Sequence, residues 1–221
     1  MIHFENVAKR YRNGLGAKVI LDGASFDFVE GHNVGILGAN GAGKSTLIRM
    51  IAGSESPDAG TIRRAARVSF PLGFTGTFHP HLSGRQNATF MARVYGESVR
   101  RVIDFVADFA ELGHYFDLPI ETYSAGMNAK LAFGVSLAID FDVYLIDEIT
   151  AVGDARFREK CASAFRERMT RCDIVMVSHS SATIRAYCDV GAFLADGQLR
   201  FFDTIDEAMR AYQRQMGTVD A

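Results

Sequence analysis

A chain of 221 residues, 48% of them apolar and 23% charged, buries most of the surface it exposes when unfolded, so it needs neither disulfides nor a structural metal to fold. The net charge of −2 argues against a strongly basic surface, and no nucleic-acid partner is expected. Cys161, Cys172 and Cys188 fall in no CxxC spacing and read as reduced thiols, the opening residues are neither a signal nor a transit peptide, and the longest apolar candidate for a membrane span, 131–146, is broken by Asp140 and Asp142.

Residues 2–7, 19–28 and 33–37 read as β-strands, and the last runs directly into a glycine-rich loop. Residues 46–51 carry helix formers, with Gly53 as the stop. The polar run 54–60 predicts a turn before a further strand. From Pro71 the character changes, and Pro71, Gly73, Gly76 and Pro80 mark an irregular loop. Beyond it Val99, Val102, Ile103, Val106 and Phe109 recur at helical spacing, with Ser98 as N-cap and Gly113 as stop. A helix over 124–139, an apolar strand over 143–146, a helix over 155–169 and a strand over 174–177 follow. A last amphipathic stretch, 205–213, should turn Met209 and Tyr212 inward. Apolar strands alternating with helices predict a parallel sheet covered on both faces, with ligands at the carboxyl ends of the strands.

The loop formed by Gly38, Ala39, Asn40, Gly41, Ala42, Gly43, Lys44 and Ser45 fits G-x-x-x-x-G-K-[ST] in full. Its glycines let consecutive N–H groups wrap around phosphate oxygens. Lys44 should neutralise the β- and γ-phosphates of ATP, and the Ser45 hydroxyl should reach Mg²⁺, which prefers hard oxygen ligands. The helix that follows, from Thr46, aims its positive end at the phosphates. A strand before and a helix after supply the required context.

Asp147 and Glu148 stand where the strand 143–146 emerges. Adjacent acids at the end of a buried strand are costly unless used. Beside a phosphate loop, Asp147 is expected to orient Mg²⁺, and Glu148 to polarise the attacking water as general base. His179 follows the strand 174–177; alone it would be a structural histidine, but at the same sheet edge it can bond the γ-phosphate. Ser124 and Gly126 open the helix 124–139 and form a second anion-binding helix end. Read alone this is an ordinary capped helix. One γ-phosphate has no room for two helix ends from one fold core, so the second is expected to reach the nucleotide of another copy.

In order and spacing, the phosphate loop, Ser124–Gly126, Asp147-Glu148, Asp154 and His179 resemble the ATPases of ABC transporters over essentially the whole chain. The signature segment departs at Tyr123, Ala125 and Met127, and Ile149-Thr150 stands where the family has Pro-Thr. The resemblance implies an α/β fold: a P-loop NTPase (RecA-like) parallel-sheet core with an N-terminal antiparallel β subdomain and a helical insertion subdomain. It implies one nucleotide-binding domain over 1–221, its core at about 1–70 and 123–221 and the helical subdomain at about 71–122. Asp154 takes the position of an aspartate that communicates between the two sites. Tyr11 stands where the family stacks an aromatic on adenine, or else packs at a strand edge. The family's Q-loop glutamine is absent; Phe74 or His79 takes its place. His79 and His81, with a proline between them, are not expected to pair on a metal.

The runs 123–133, 144–157, 70–78 and 82–85 are similar to one branch, the ATPases of bacterial exporters of capsular and related surface polysaccharides. The end of the chain soon after the last helix looks more like the capsule exporters than the O-antigen or teichoic-acid ones. The resemblance implies a homodimer, two copies of an integral-membrane permease, a lipid-linked polysaccharide as the indirect substrate, and a place on the cytoplasmic face of the inner membrane. The alternatives are another exporter of that branch or an ABC-type ATPase without a permease.

Overall fold

The computed structural model describes residues 1–13, 16–72, 78–147, 155–178, 180–215 and 217. In chain order its elements are β1 (Ile2–Asn13), β2 (Gly16–Phe28), β3 (Val34–Leu37), α1 (Lys44–Ala52), β4 (Ala59–Arg64), α2 (Gly84–Val94), α3 (Val99–Ala110) and α4 (Ala125–Ala138). They continue with β5 (Val143–Asp147), α5 (Ala155–Met169), β6 (Asp173–Val177), α6 (Ser181–Tyr187), β7 (Val190–Ala195), β8 (Gln198–Phe202) and α7 (Ile205–Gln215). By contact the chain divides into two units. The first is Met1–Pro71, Asp142–Glu148 and Cys172–Ala221; the second is Leu72–Phe141 and Ile149–Arg171.

The first unit holds two sheets. One is antiparallel with order β2-β1-β4; the other has order β5-β6-β3-β7-β8, parallel except for β8, which runs against β7. β3 lies in the middle of the second sheet and is buried throughout, as a strand paired on both edges and covered on both faces must be. Leu47, Ile48, Met50 and Ile51 of α1 are fully buried and join Val143, Leu145, Val175 and Val177 in one core. The strand order turns about β3, which puts the glycine-rich loop at a point where neighbouring connections diverge. β1 and β2 outrun their expected bounds because they pair as a hairpin as far as Asn13 opposite Gly16. α6, β7 and β8 go beyond the elements expected.

The second unit is helical. α2 starts at a full capping box: the Ser83 hydroxyl accepts from the Gln86 N–H, and the Gln86 side chain accepts from the Ser83 N–H. The apolar face of α3 closes on α4, with Phe109 stacked on Phe133 at 6.1 Å and edge-on to Phe157 of α5 at 5.7 Å. Two boundaries differ from expectation. α3 ends at Ala110 with Glu111 in the left-handed region at φ 50, so Glu111 rather than Gly113 stops the helix; Gly113 opens a 3-10 turn. The helical unit also gathers α4 and α5, well beyond 71–122, because α4 packs its buried face on α3.

Candidate functional site

Residues 38–43 turn between β3 and α1, where the sequence places the phosphate loop. The Lys44 ammonium, buried, donates to the carbonyls of Gly38 at 2.8 Å and Ala39 at 3.0 Å, while the Ala42 N–H donates to Ala39 O. Gly43 caps α1 at φ 108, and a Cβ there would lie 2.6 Å from Ile20 Cγ2. Only glycine fits both the dihedral and the approach of β2. No side chain caps α1 and no acid stands in its first turn, so its first N–H groups and positive end face the loop. The Thr46 hydroxyl, buried, accepts from the Arg49 guanidinium at 3.1 Å.

Tyr11, Asn40, Gly41, Gly43, Lys44, Ser45, Thr46 and Asp147 line one cavity of about 430 Å³, large enough for a cofactor-sized ligand. Lys18, Ile20 and Val177 complete it; Lys18 and Ile20 do not stand out in the sequence, since only the β1–β2 hairpin, pairing Tyr11 with Lys18, brings them to the loop, whereas Val177 ends β6 beside β3. Two lysines and a helix N-terminus make the cavity a place for an anion. Asp147, at the end of β5, is the acid among the described lining residues, and with the Ser45 hydroxyl it offers two hard oxygen donors. No cluster of three His, Cys, Asp or Glu able to hold a metal is found among the described residues. That donor set fits Mg²⁺, which takes one or two protein oxygens and completes its shell from substrate phosphates and water.

Ser124 and Gly126 lie in the other unit. The Ser124 hydroxyl caps α4 by accepting from the Met127 N–H at 3.2 Å. Among the described residues a Cβ on Gly126 would meet only Ser124 Oγ, at 3.8 Å, so none of them demands a glycine there. Both residues, with Met127, Lys130, Glu111 and Tyr115, line a second cavity of about 250 Å³. Tyr123 is buried, its hydroxyl donates to Tyr115 O at 2.7 Å, and burial raises its pKa. The departure at Tyr123 is thus an aromatic anchored by its hydroxyl directly before Ser124.

Glu148, Asp154, His179 and Phe74 lie outside the described residues. His79 lies before α2, its N–H donating to Asn87 Oδ1 at 2.8 Å and its ring edge-on to His81 at 5.6 Å; it is not part of the lining of either cavity.

The family described as ABC transporter matches residues 21–151. The chain is 44% identical over 219 residues to the polysialic acid transport ATP-binding protein KpsT of Escherichia coli, covering 98% of this chain and 100% of that protein. It is 44% identical to the capsule polysaccharide export ATP-binding protein CtrD of Neisseria meningitidis serogroup B, covering 96% and 98%. Among solved structures it superposes on the ATP-binding cassette MJ0796, a dimer in a post-hydrolysis state bound to ADP and Pi, with TM-score 0.75 and 20% identity over 93% of this chain and 99% of that one.

Proposed function

The chain belongs to the ABC transporter family as an ATP-hydrolysing subunit, and from that premise we propose that two copies close on Mg-ATP to drive export of a lipid-linked capsular or related surface polysaccharide through a permease. The observation that carries the reading is full-length likeness to polysaccharide-export ATP-binding proteins in a chain where Tyr11, Asn40, Gly41, Gly43, Lys44, Ser45, Thr46 and Asp147 line one cavity.

Lys44 turns its ammonium from the loop carbonyls to the β- and γ-phosphates, and the N–H groups of 41–46 bond their oxygens. Ser45 and Asp147 hold Mg²⁺, which supplies charge neutralisation at the phosphates. Tyr11, at the rim, stacks on the adenine. Glu148 polarises the attacking water as general base, His179 bonds the γ-phosphate, and Asp154 links the two sites. Ser124 and Gly126 of the second copy close on the γ-phosphate with the N-terminal end of their helix. No helix among the described residues is long and apolar enough to cross a membrane, and the permease holds the dimer at the cytoplasmic face of the inner membrane.

Export in the source cell tests this. Lys44→Ala removes a charge-assisted contact and should weaken ATP binding about 10- to 100-fold by calorimetry. Polysaccharide should then stay inside the cell. Normal surface polymer with that variant would overturn the reading.

A further inference from the structure

Lys44 and Lys9 are the buried lysines among the described residues. Lys44 belongs to the phosphate loop; Lys9 has no part in the chemistry above. β1 breaks register between Phe4 and Val7, with Asn6 at φ 50. A bulge of one residue exchanges the faces of a strand. Ile2 and Phe4 are buried before it, Val7 and Lys9 after it. Tyr11, two residues on, lines the nucleotide cavity.

The Lys9 ammonium is fully engaged. It meets Glu55 Oε1 at 2.6 Å, donates to Ser56 O at 2.8 Å and Asp58 Oδ1 at 3.4 Å, and lies 5.3 Å from the centre of the Tyr11 ring. Glu55 also faces Arg49 Nε at 3.7 Å, and Arg49 donates to the Thr46 hydroxyl. The N–H groups of Ser54 and Glu55 bond Arg49 O, tying the same turn to the end of α1. A short run of contacts therefore leads from the Tyr11 ring through Lys9, Glu55 and Arg49 to Thr46 in the lining of the cavity. The Glu55 carboxyl is held below its usual range, first by the hydrogen bond from Lys9, against opposing desolvation, with smaller help from Tyr11 and Arg49.

We propose that Lys9 and Glu55 are a positioning pair for the nucleotide base: the ammonium backs the Tyr11 ring, and the carboxylate fixes that ring at a set distance from the phosphate end of α1. The inference rests on Tyr11 as the base-stacking residue. A cation near an aromatic ring is attracted to it and restrains it, and a ring already restrained loses less freedom when a base stacks on it. A buried ion pair adds little to stability against apolar residues of similar volume, so the gain is expected in placement.

The test is Lys9→Met and Glu55→Gln in the full chain, with affinity for Mg-ATP and for inorganic tripolyphosphate, which has no base. Lys9→Met should weaken ATP about three- to tenfold, raise KM with kcat unchanged, and leave tripolyphosphate untouched; Lys9→Arg should restore ATP. In a Tyr11→Ala background Lys9→Met should cause no further loss. Glu55→Gln, which keeps the size and a hydrogen bond, should show the same base-dependent loss. Equal loss for both ligands, or no loss for ATP, overturns the proposal. If Tyr11→Ala binds ATP like the unaltered chain, the stacking reading fails and takes the pair with it. If Tyr11→Ala is weakened but Lys9→Met and Glu55→Gln are not, the pair alone is refuted.

Discussion

One methyl group at Gly43 would lie 2.6 Å from Ile20 Cγ2 and force an L side chain to φ 108. The same methyl at Gly126 meets only Ser124 Oγ at 3.8 Å, within a helix where alanine is the better former. Gly43→Ala should therefore lose at least about 1–2 kcal/mol of stability from the backbone alone, and ATP affinity with it. Gly126→Ala should melt at or above the temperature of the unaltered chain yet slow ATP turnover, as the proposed approach of a second copy's nucleotide requires. Thermal melts beside hydrolysis rates decide this, and a Gly126→Ala that hydrolyses at full speed would remove the need for close approach at α4. The phosphate loop was legible because its chemistry fixes residue types at consecutive positions. Lys9 and Lys18 were not: both lie beyond the strands expected at 2–7 and 19–28, in the part of the hairpin that the pattern of apolar residues does not mark. Only the bulge near Asn6 turns Lys9 inward, and only the hairpin register sets Lys18 opposite Tyr11.

Elements were read from period and caps, and succeeded where both are local. Residues 155–169 became α5 as expected, Ser98 and Ser124 cap α3 and α4, and Gly53 closes α1 by donating to Arg49 O and Met50 O. The stop of α3 was misplaced because Glu111 takes a left-handed φ usually left to glycine, in a place where its carboxylate pairs with Lys160 at 2.8 Å. A pairing 49 residues distant leaves no mark in a local window. α4 was expected but not its packing on α3 and α5, because residues 131–138 are buried on every face and carry no stripe. The 3-10 turn Gly113–Asp117 is tied to α2 by Arg85, whose guanidinium meets Asp117 through two contacts, at 2.6 and 3.2 Å. Arg85 holds the Asp117 carboxyl below its ordinary value. A depressed folded value means that the contribution is whole above the unfolded pKa of about 3.9 and is lost as pH falls through the folded one. Both partners are about half exposed, so screening limits the pair to about 1 kcal/mol or less. Asp117→Asn should accordingly be less stable than the unaltered chain in urea at neutral pH, with the gap closing below about pH 4. A gap that persists in acid would assign the loss to packing.

On the scale of the whole molecule, the chemistry is divided between the two units. Lys44, Ser45, Asp147 and Tyr11 share a cavity in the first; Ser124 and Gly126 line another in the second. In the proposed function a phosphate bound by the first set is held by donors and a cation on one side, and the capped end of α4 in a second copy would offer the complementary surface. Because both copies would carry both surfaces, such an arrangement would close on itself with two nucleotides, a self-complementary interface of the kind twofold dimers use. ATP would then act as shared ligand, stabilising the closed pair by its differential affinity, and hydrolysis would remove that affinity. Glu148→Gln keeps the size of the side chain and removes the proposed base. It should keep ATP affinity, abolish steady-state hydrolysis, and run as a dimer in size-exclusion chromatography with Mg-ATP while remaining a monomer without it. Adding Ser124→Asp puts a like charge against the γ-phosphate and should return the ATP-bound variant to monomer without changing its melting temperature by more than a surface substitution does, within about ±0.5 kcal/mol. A Glu148→Gln chain that hydrolyses ATP normally would remove the base from Glu148. One that holds ATP but stays monomeric, with or without the aspartate, would show that the two cavities do not serve the same phosphate.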